Sequence, residues 1–189
     1  GIEASQTLFI PREKDLFTDP VEVMDVRVKN VSRRIREISV YGYVEFSFHH
    51  IEFDNQNFQM SLYAAGSRCV DGVIEHDLYY EQDGYQFFTS DFTPDGFDCL
   101  RDAFIGPYRT ERDPLTVESG TCRGSFEKGG NHCAGLMKRL KLQPGEKVRL
   151  IYFLGEGGYE QAKAIKEKYK DPAALDKAYK KLSDFWKNK

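Results

Sequence analysis

The stretch Ile38-Ser39-Val40-Tyr41-Gly42-Tyr43-Val44-Glu45-Phe46-Ser47-Phe48 decides the fold. Ile38, Val40, Val44, Phe46 and Phe48 fall on one side of a period-2 alternation, and Tyr41, Tyr43, Glu45 and Ser47 fall on the other. β-Branched and aromatic residues at that spacing specify a strand. Both faces carry large side chains, so the strand is expected to be covered on both sides.

Working outward, Asn30-Val31-Ser32 reads as a turn. Before it, residues 21–29 carry Val21, Val23, Val26 and Val28, an alternation that changes phase near Met24 as a β-bulge would require. A short apolar stretch at 5–10 is closed by Pro11. Towards the C-terminus, strands are expected at 58–63, 73–80, 85–91, 133–142 and 147–154. The last two flank Gln143-Pro144-Gly145-Glu146, where Pro presets one turn residue and Gly supplies positive φ at the next. Residues 93–130 form an irregular, Gly- and Pro-punctuated stretch, long enough to be functional or to hide short strands. The architecture read from this pattern is mainly β, an antiparallel two-sheet β-sandwich followed by two helices.

Composition supports a folded domain. The chain has 189 residues, 40% of them hydrophobic, with 14 Phe and 11 Tyr, which is too apolar for disorder. With 27 basic against 30 acidic residues there is no basic excess to hold a nucleic acid, and no apolar run is long enough to cross a bilayer. The N-terminal Gly1-Ile2-Glu3-Ala4-Ser5 shows no signal-peptide pattern. Cys69, Cys99, Cys122 and Cys133 form no C-x-x-C unit, so free thiols in a cytoplasmic protein are expected rather than zinc ligands or disulfides.

The balance changes near Gly158. Residues 160–189 hold 9 Lys against 5 acidic residues, whereas residues 1–159 hold 18 basic against 25 acidic ones. A helix is expected over 161–169, and a second one restarts at Asp171-Pro172, with Asp as N-cap and Pro at the first position. In that helix Leu175, Tyr179, Leu182 and Trp186 make one apolar stripe, for which the rest of the chain offers little to pack against. The boundary is placed between a sandwich at 1–157 and a helical linker at 158–189.

Few residues point directly to chemistry. Gly155-Glu156-Gly157-Gly158 leads from strand to helix but has Glu160 where a dinucleotide fingerprint needs a small residue, so it reads as a plain turn. His49 and His50 would face opposite sides of a strand, and a metal site would need His76 or His132 to converge from afar. A Ser-His-Asp arrangement is left open, although no G-x-S-x-G elbow is present. Asp91, Asp95, Asp98 and Asp102, interleaved with Phe92, Phe97 and Phe104, read as turn caps before they read as a glycosidase carboxylate pair. Asp54-Asn55-Gln56-Asn57-Phe58-Gln59 combines planar amides with an aromatic ring, the chemistry of sugar recognition, although on the residues alone an ordinary polar turn is the favoured reading.

Taken in order, Val26-Arg27-Val28-Lys29-Asn30-Val31-Ser32, Tyr43-Val44-Glu45-Phe46, the segment from Asp54 to Leu62, that from Gly96 to Gly106, Gly130-Asn131-His132 and the closing pattern from Leu140 to Gly155 resemble the N-terminal domain of the inverting phosphorylases of glycoside hydrolase family 94. Members acting on cellodextrins are the nearest in that resemblance. It implies a β-sandwich and helical linker leading to an absent (α/α)6 barrel. The implied reaction is phosphorolysis of a β-1,4-glucan, releasing α-glucose 1-phosphate. Inorganic phosphate is then a co-substrate, no cofactor is needed, and the catalytic acid lies outside this segment. The resemblance further implies a homodimer in which one subunit's sandwich borders the other's acceptor site through Asn57, Gln59 and Met60. Cellobiose-specific members resemble one another in an Arg after the Gln, where this chain has Met60, which favours longer cello-oligosaccharide acceptors. The rival reading is a non-catalytic carbohydrate-binding or scaffold sandwich.

Overall fold

Strand pairing divides the chain into two antiparallel sheets. The computed structural model describes residues 1–12, 21–46, 56, 58–78 and 85–188. The strands are β1 (Ile2–Phe9), β2 (Val21–Asn30), β3 (Arg36–Glu45), β4 (Ala65–Val70), β5 (Val73–Leu78), β6 (Tyr85–Ser90), β7 (Gly96–Leu100), β8 (His132–Leu142) and β9 (Lys147–Glu156). The helices are α1 (Phe58–Ala64), α2 (Arg101–Phe104), α3 (Leu115–Ser119), α4 (Tyr159–Lys168) and α5 (Pro172–Lys187). One sheet has the order β1-β2-β9-β6-β5-β4 and the other β3-β8-β7.

Between the sheets lies a core that includes Ile74, Phe88, Leu150 and Tyr152 from the larger sheet, and Cys99, Ala134 and Leu136 from the smaller. β3 is covered on both sides, as its sequence requires. Val40 and Val44 meet this central core, while Tyr41 and Tyr43 meet Phe104 of α2 on the outer side. Gly42 is required here, because a Cβ at that position would sit 2.4 Å from the Tyr152 ring.

The outer face of the larger sheet carries Val21, Val23, Phe87, Ile151 and Phe153, covered by Ala162 and Ile165 of α4, Tyr169, and Leu175 of α5. This explains the change of phase in β2. The strand has no bulge; its register with β1 and β9 runs unbroken. Val21 and Val23 face the helices, whereas Met24 and Val26 face the opposite sheet. Two covered faces, not an inserted residue, shift the pattern.

The apolar stripe of α5 also has more to pack against than its sequence suggests. Leu175 is buried, Leu182 packs at the margin of the same core, and Tyr179 meets Phe9 edge-on at 5.2 Å. At the far end of the stripe Trp186 is 65% exposed. Asp171 caps the helix by accepting from the Ala173 amide at 2.9 Å. Asp25 fastens it from the sheet side. Arg149 donates to both Asp25 oxygens, at 3.0 and 2.9 Å, and reaches Asp176 of α5 at 2.9 Å. Burial pushes the Asp25 carboxyl up, but Arg149 and Arg27 outweigh it and hold it below the ordinary carboxylate value.

Among the crossings that carry the chain from one sheet to the other are the corners 31–35 and 143–146, and Asn30 joins these two. Its Nδ2 donates to the carbonyls of Arg34 and Leu142, at 2.7 and 3.0 Å. Its backbone exchanges hydrogen bonds with Glu146 and Gly145.

One further expectation is overturned. Residues 58–63 are not a strand but lie in α1. Gln59, Met60, Leu62 and Ala64 are good helix formers, and Phe58 and Leu62 satisfy an i, i+4 spacing as readily as an alternation.

Candidate functional site

α1 sits at the β4 edge of the larger sheet, its Ala64 running directly into Ala65 of β4. Gln59 is exposed on it. Gln56, also helical, and Tyr63 lie three residues before and four after Gln59, so the three share one side of the helix, and all are exposed. Tyr63, 76% exposed, is a member of this face that the sequence reading passed over. The i, i+3, i+7 spacing was available as a signal, but only to a helical reading. Met60 is the next helical position, about 100° around the helix from Gln59. Asn57, with Asp54 and Asn55, lies outside the described residues, as do His49 and His50.

The helix is held from below by residues 127–131. Gly130 N–H donates to the Leu62 carbonyl at 2.9 Å, Gly129 N–H to Ala65 at 2.6 Å, and Ser67 N–H to Glu127 at 3.1 Å. Beneath this segment His76 and His132 do converge, with ring centroids 5.7 Å apart. They converge on Ser67 and Phe46. Ser67 Oγ lies 2.6 Å from His132 Nδ1, and Phe46 stacks on His76 at 4.8 Å. Burial, with the charge on His132 second, pushes the His76 imidazole down to about 4; burial lowers His132 too. Both rings are therefore neutral near pH 7.

This is not a hydrolase triad. Among the described residues no carboxylate hydrogen-bonds His132, and Ser67 is 6% exposed and also within 3.3 Å of the Cys99 carbonyl. Nor do the loop carboxylates face one another across a cleft. Asp91 accepts from Ile151 N–H, Asp95 from Arg139 N–H, and buried Asp98 from Arg123 N–H, Ser125 N–H and two hydroxyls. They cap backbone, as the turn chemistry predicts. Gly157-Gly158 is likewise a plain entry into α4, whose first amide, that of Tyr159, donates to Glu75.

The four cysteines are unpaired. Burial raises all four thiols, Cys69 to about 11 and Cys122 to about 12, which makes them poor nucleophiles. No described helix is long and apolar enough to cross a membrane.

The geometry is thus an amide- and tyrosine-bearing helix on the sandwich edge, with the loop carboxylates Asp91, Asp95 and Asp98 engaged by backbone amides. The chain is 45% identical over 189 residues to N,N'-diacetylchitobiose phosphorylases of Vibrio proteolyticus and Vibrio furnissii, covering 98% of this chain and 23% of each relative. It is 29% identical to solabiose phosphorylase of Paenibacillus borealis, again covering 23% of that protein. The chain therefore spans about a quarter of the length of these relatives. A family profile described as "Glycosyl hydrolase 94, supersandwich domain" matches residues 1–172, and the chain belongs to that family.

Proposed function

We propose that this chain is the supersandwich portion of an inverting phosphorylase whose catalytic acid lies in a barrel outside the 189 residues, and that its substrate is a β-1,4-linked disaccharide of N-acetylglucosamine. In that reaction inorganic phosphate attacks the anomeric carbon in line while a carboxylic acid protonates the leaving oxygen. The C–O bond to the second sugar breaks, and an α-sugar 1-phosphate forms. Because phosphate is already anionic, one acid suffices and no second carboxylate is needed as base. The observation that carries the reading is 45% identity sustained over 98% of the chain with two phosphorylases named for that disaccharide.

Cello-oligosaccharide phosphorolysis is the second reading, favoured by Met60, which supplies no donor for closing the site around one glucose. In either case Gln59, Met60 and Asn57 border the acceptor site of a partner subunit in a homodimer, inorganic phosphate is the co-substrate, and no further cofactor takes part. Four unpaired, unreactive thiols support a cytoplasmic enzyme.

The test is sugar 1-phosphate release by the full-length enzyme from phosphate and either N,N'-diacetylchitobiose, cellobiose or cellotriose. Preference for diacetylchitobiose is the expected outcome. Preference for cellotriose selects the second reading, and no sugar 1-phosphate from any of them refutes both.

A further inference from the structure

Beside α1, on the outer face of β4 and β5, lies a cleft of about 520 Å³, lined among the described residues by neither Gln59 nor any other residue of α1. The register pairs Gly66 with Asp77 and Arg68 with Glu75, so these four share the floor. Phe126, Glu127 and Lys128 form the wall, fixed to the edge of β4 by the bridge between Gly66 and Lys128 and by the Ser67–Glu127 hydrogen bond.

The floor residues divide by engagement. Glu75 is buried and fully used, accepting from Arg68 Nε at 2.6 Å and from Tyr159 N–H at 2.5 Å. Asp77 is half-buried and accepts from no donor among the described residues. Its carboxylate lies over Gly66, where a Cβ would come within 2.7 Å of Oδ1, so glycine makes the room it occupies. Phe126 is 64% exposed at the wall, an apolar ring held in water beside charged neighbours.

We propose that this cleft binds a pyranose ring of a β-1,4-linked oligosaccharide, with Phe126 as the apolar platform, Asp77 accepting from ring hydroxyls and Lys128 donating to them. An anion is disfavoured by Asp77 and Glu127, and a cation by Lys128. A neutral polyol with one apolar face matches the mixture of an aromatic ring and both signs of charge. The inference rests on the reading of the enzyme as acting on carbohydrate, and it adds a subsite to it. The wall continues through Gly129 and Gly130 into the hydrogen bonds that hold α1, so cleft and α1 are one mechanical unit.

The experiment is amide-shift mapping of the full 189-residue chain titrated with cellotriose and with the β-1,4-linked trisaccharide of N-acetylglucosamine. Shifts are expected at Gly66, Arg68, Glu127 and Lys128 with at least one of the two. Phe126→Ala should weaken binding about tenfold, the loss of one stacked ring face. Asp77→Asn, which keeps the shape, should weaken it about threefold. Shifts confined to α1, no shifts, or affinities unchanged in both variants overturn the proposal. Sugar 1-phosphate release is read separately. An active enzyme with a silent cleft defeats only this inference, and an inactive enzyme with a responsive cleft defeats only the phosphorolysis reading.

Discussion

The β2–β9 ladder and the β4–β5 ladder belong to one sheet but are built from different materials. The first runs from Val21 opposite Gly155 to Lys29 opposite Lys147 without a shift, and Val23, Ile151 and Phe153 on one side and Val26, Leu150 and Tyr152 on the other are apolar or aromatic. In the second, Ser67 stands opposite His76 on the inner side, and Gly66, Arg68, Glu75 and Asp77 make the outer side. Where hydrocarbon covers a strand on both faces each residue adds stability, and the one buried charge in the middle of this ladder, Asp25, is paired with Arg27 and Arg149. A strand that buries hydroxyl and imidazole gains only where every group finds a partner. The apolar ladder is the mount, and the polar ladder carries the surface proposed to meet ligand.

The most severe way to break that contrast is to empty the apolar side. Phe153, fully buried, should cost about 4 kcal/mol on replacement by Ala, measured by urea unfolding; a loss under about 1 kcal/mol would mean this ladder is not the mount. Asp98→Ala leaves the amides of Arg123 and Ser125 and the hydroxyls of Thr116 and Ser125 without their acceptor. It should cost about 3 kcal/mol and loosen residues 121–130 first, seen as faster amide exchange there.

Acid should find the polar ladder before the apolar one. His76 has its folded value depressed to about 4, so the unfolded chain binds the proton first. Its stabilising contribution is complete above pH 6.5 and is lost as pH falls towards 4, amounting to about 2 kcal/mol by pH 5. Asp25, held low by its arginines, loses its contribution only below the ordinary carboxylate range. Thermal unfolding at pH 7, 6 and 5 measures this, and a flat profile removes His76 from the account. Smallest is Gln59→Ala, which should leave unfolding within about 0.5 kcal/mol of the parent. In the full-length dimer it should raise the acceptor KM by the equivalent of about 1 kcal/mol, with kcat unchanged. An unchanged KM would return α1 to the status of a solvated helix.

The same contrast marks what could be read in advance. β3, β8, β9 and α5 were legible because their signals are local: strict alternation, a Pro-Gly turn, an Asp-Pro start. β4, Ala65-Gly66-Ser67-Arg68-Cys69-Val70, shows no alternation, since one face opens on a cleft and the other meets an imidazole. β7 hid in the irregular stretch because its central Asp98 is buried on loop amides that arrive from 123–125. Of the candidate site, composition singles out the amides of 54–59, of which Gln56 and Gln59 are described. It does not single out Tyr63, Asp77 and Phe126, because it takes the folding of β4 against β5 and the 126–128 segment to bring them to one edge.

Asn30 has a consequence in time. The two corners it joins are separated by 112 residues of chain, so neither can be fixed until the second has been made. At about 5–20 residues per second, β2 spends roughly 6–20 s of synthesis with its β9 edge open after it has left the ribosome's active centre. Its apolar faces are exposed for that interval, with β1 as its earliest partner. The period during which this chain is most easily captured by a chaperone, or lost to aggregation, is set by the distance along the chain from Asn30 to Leu142.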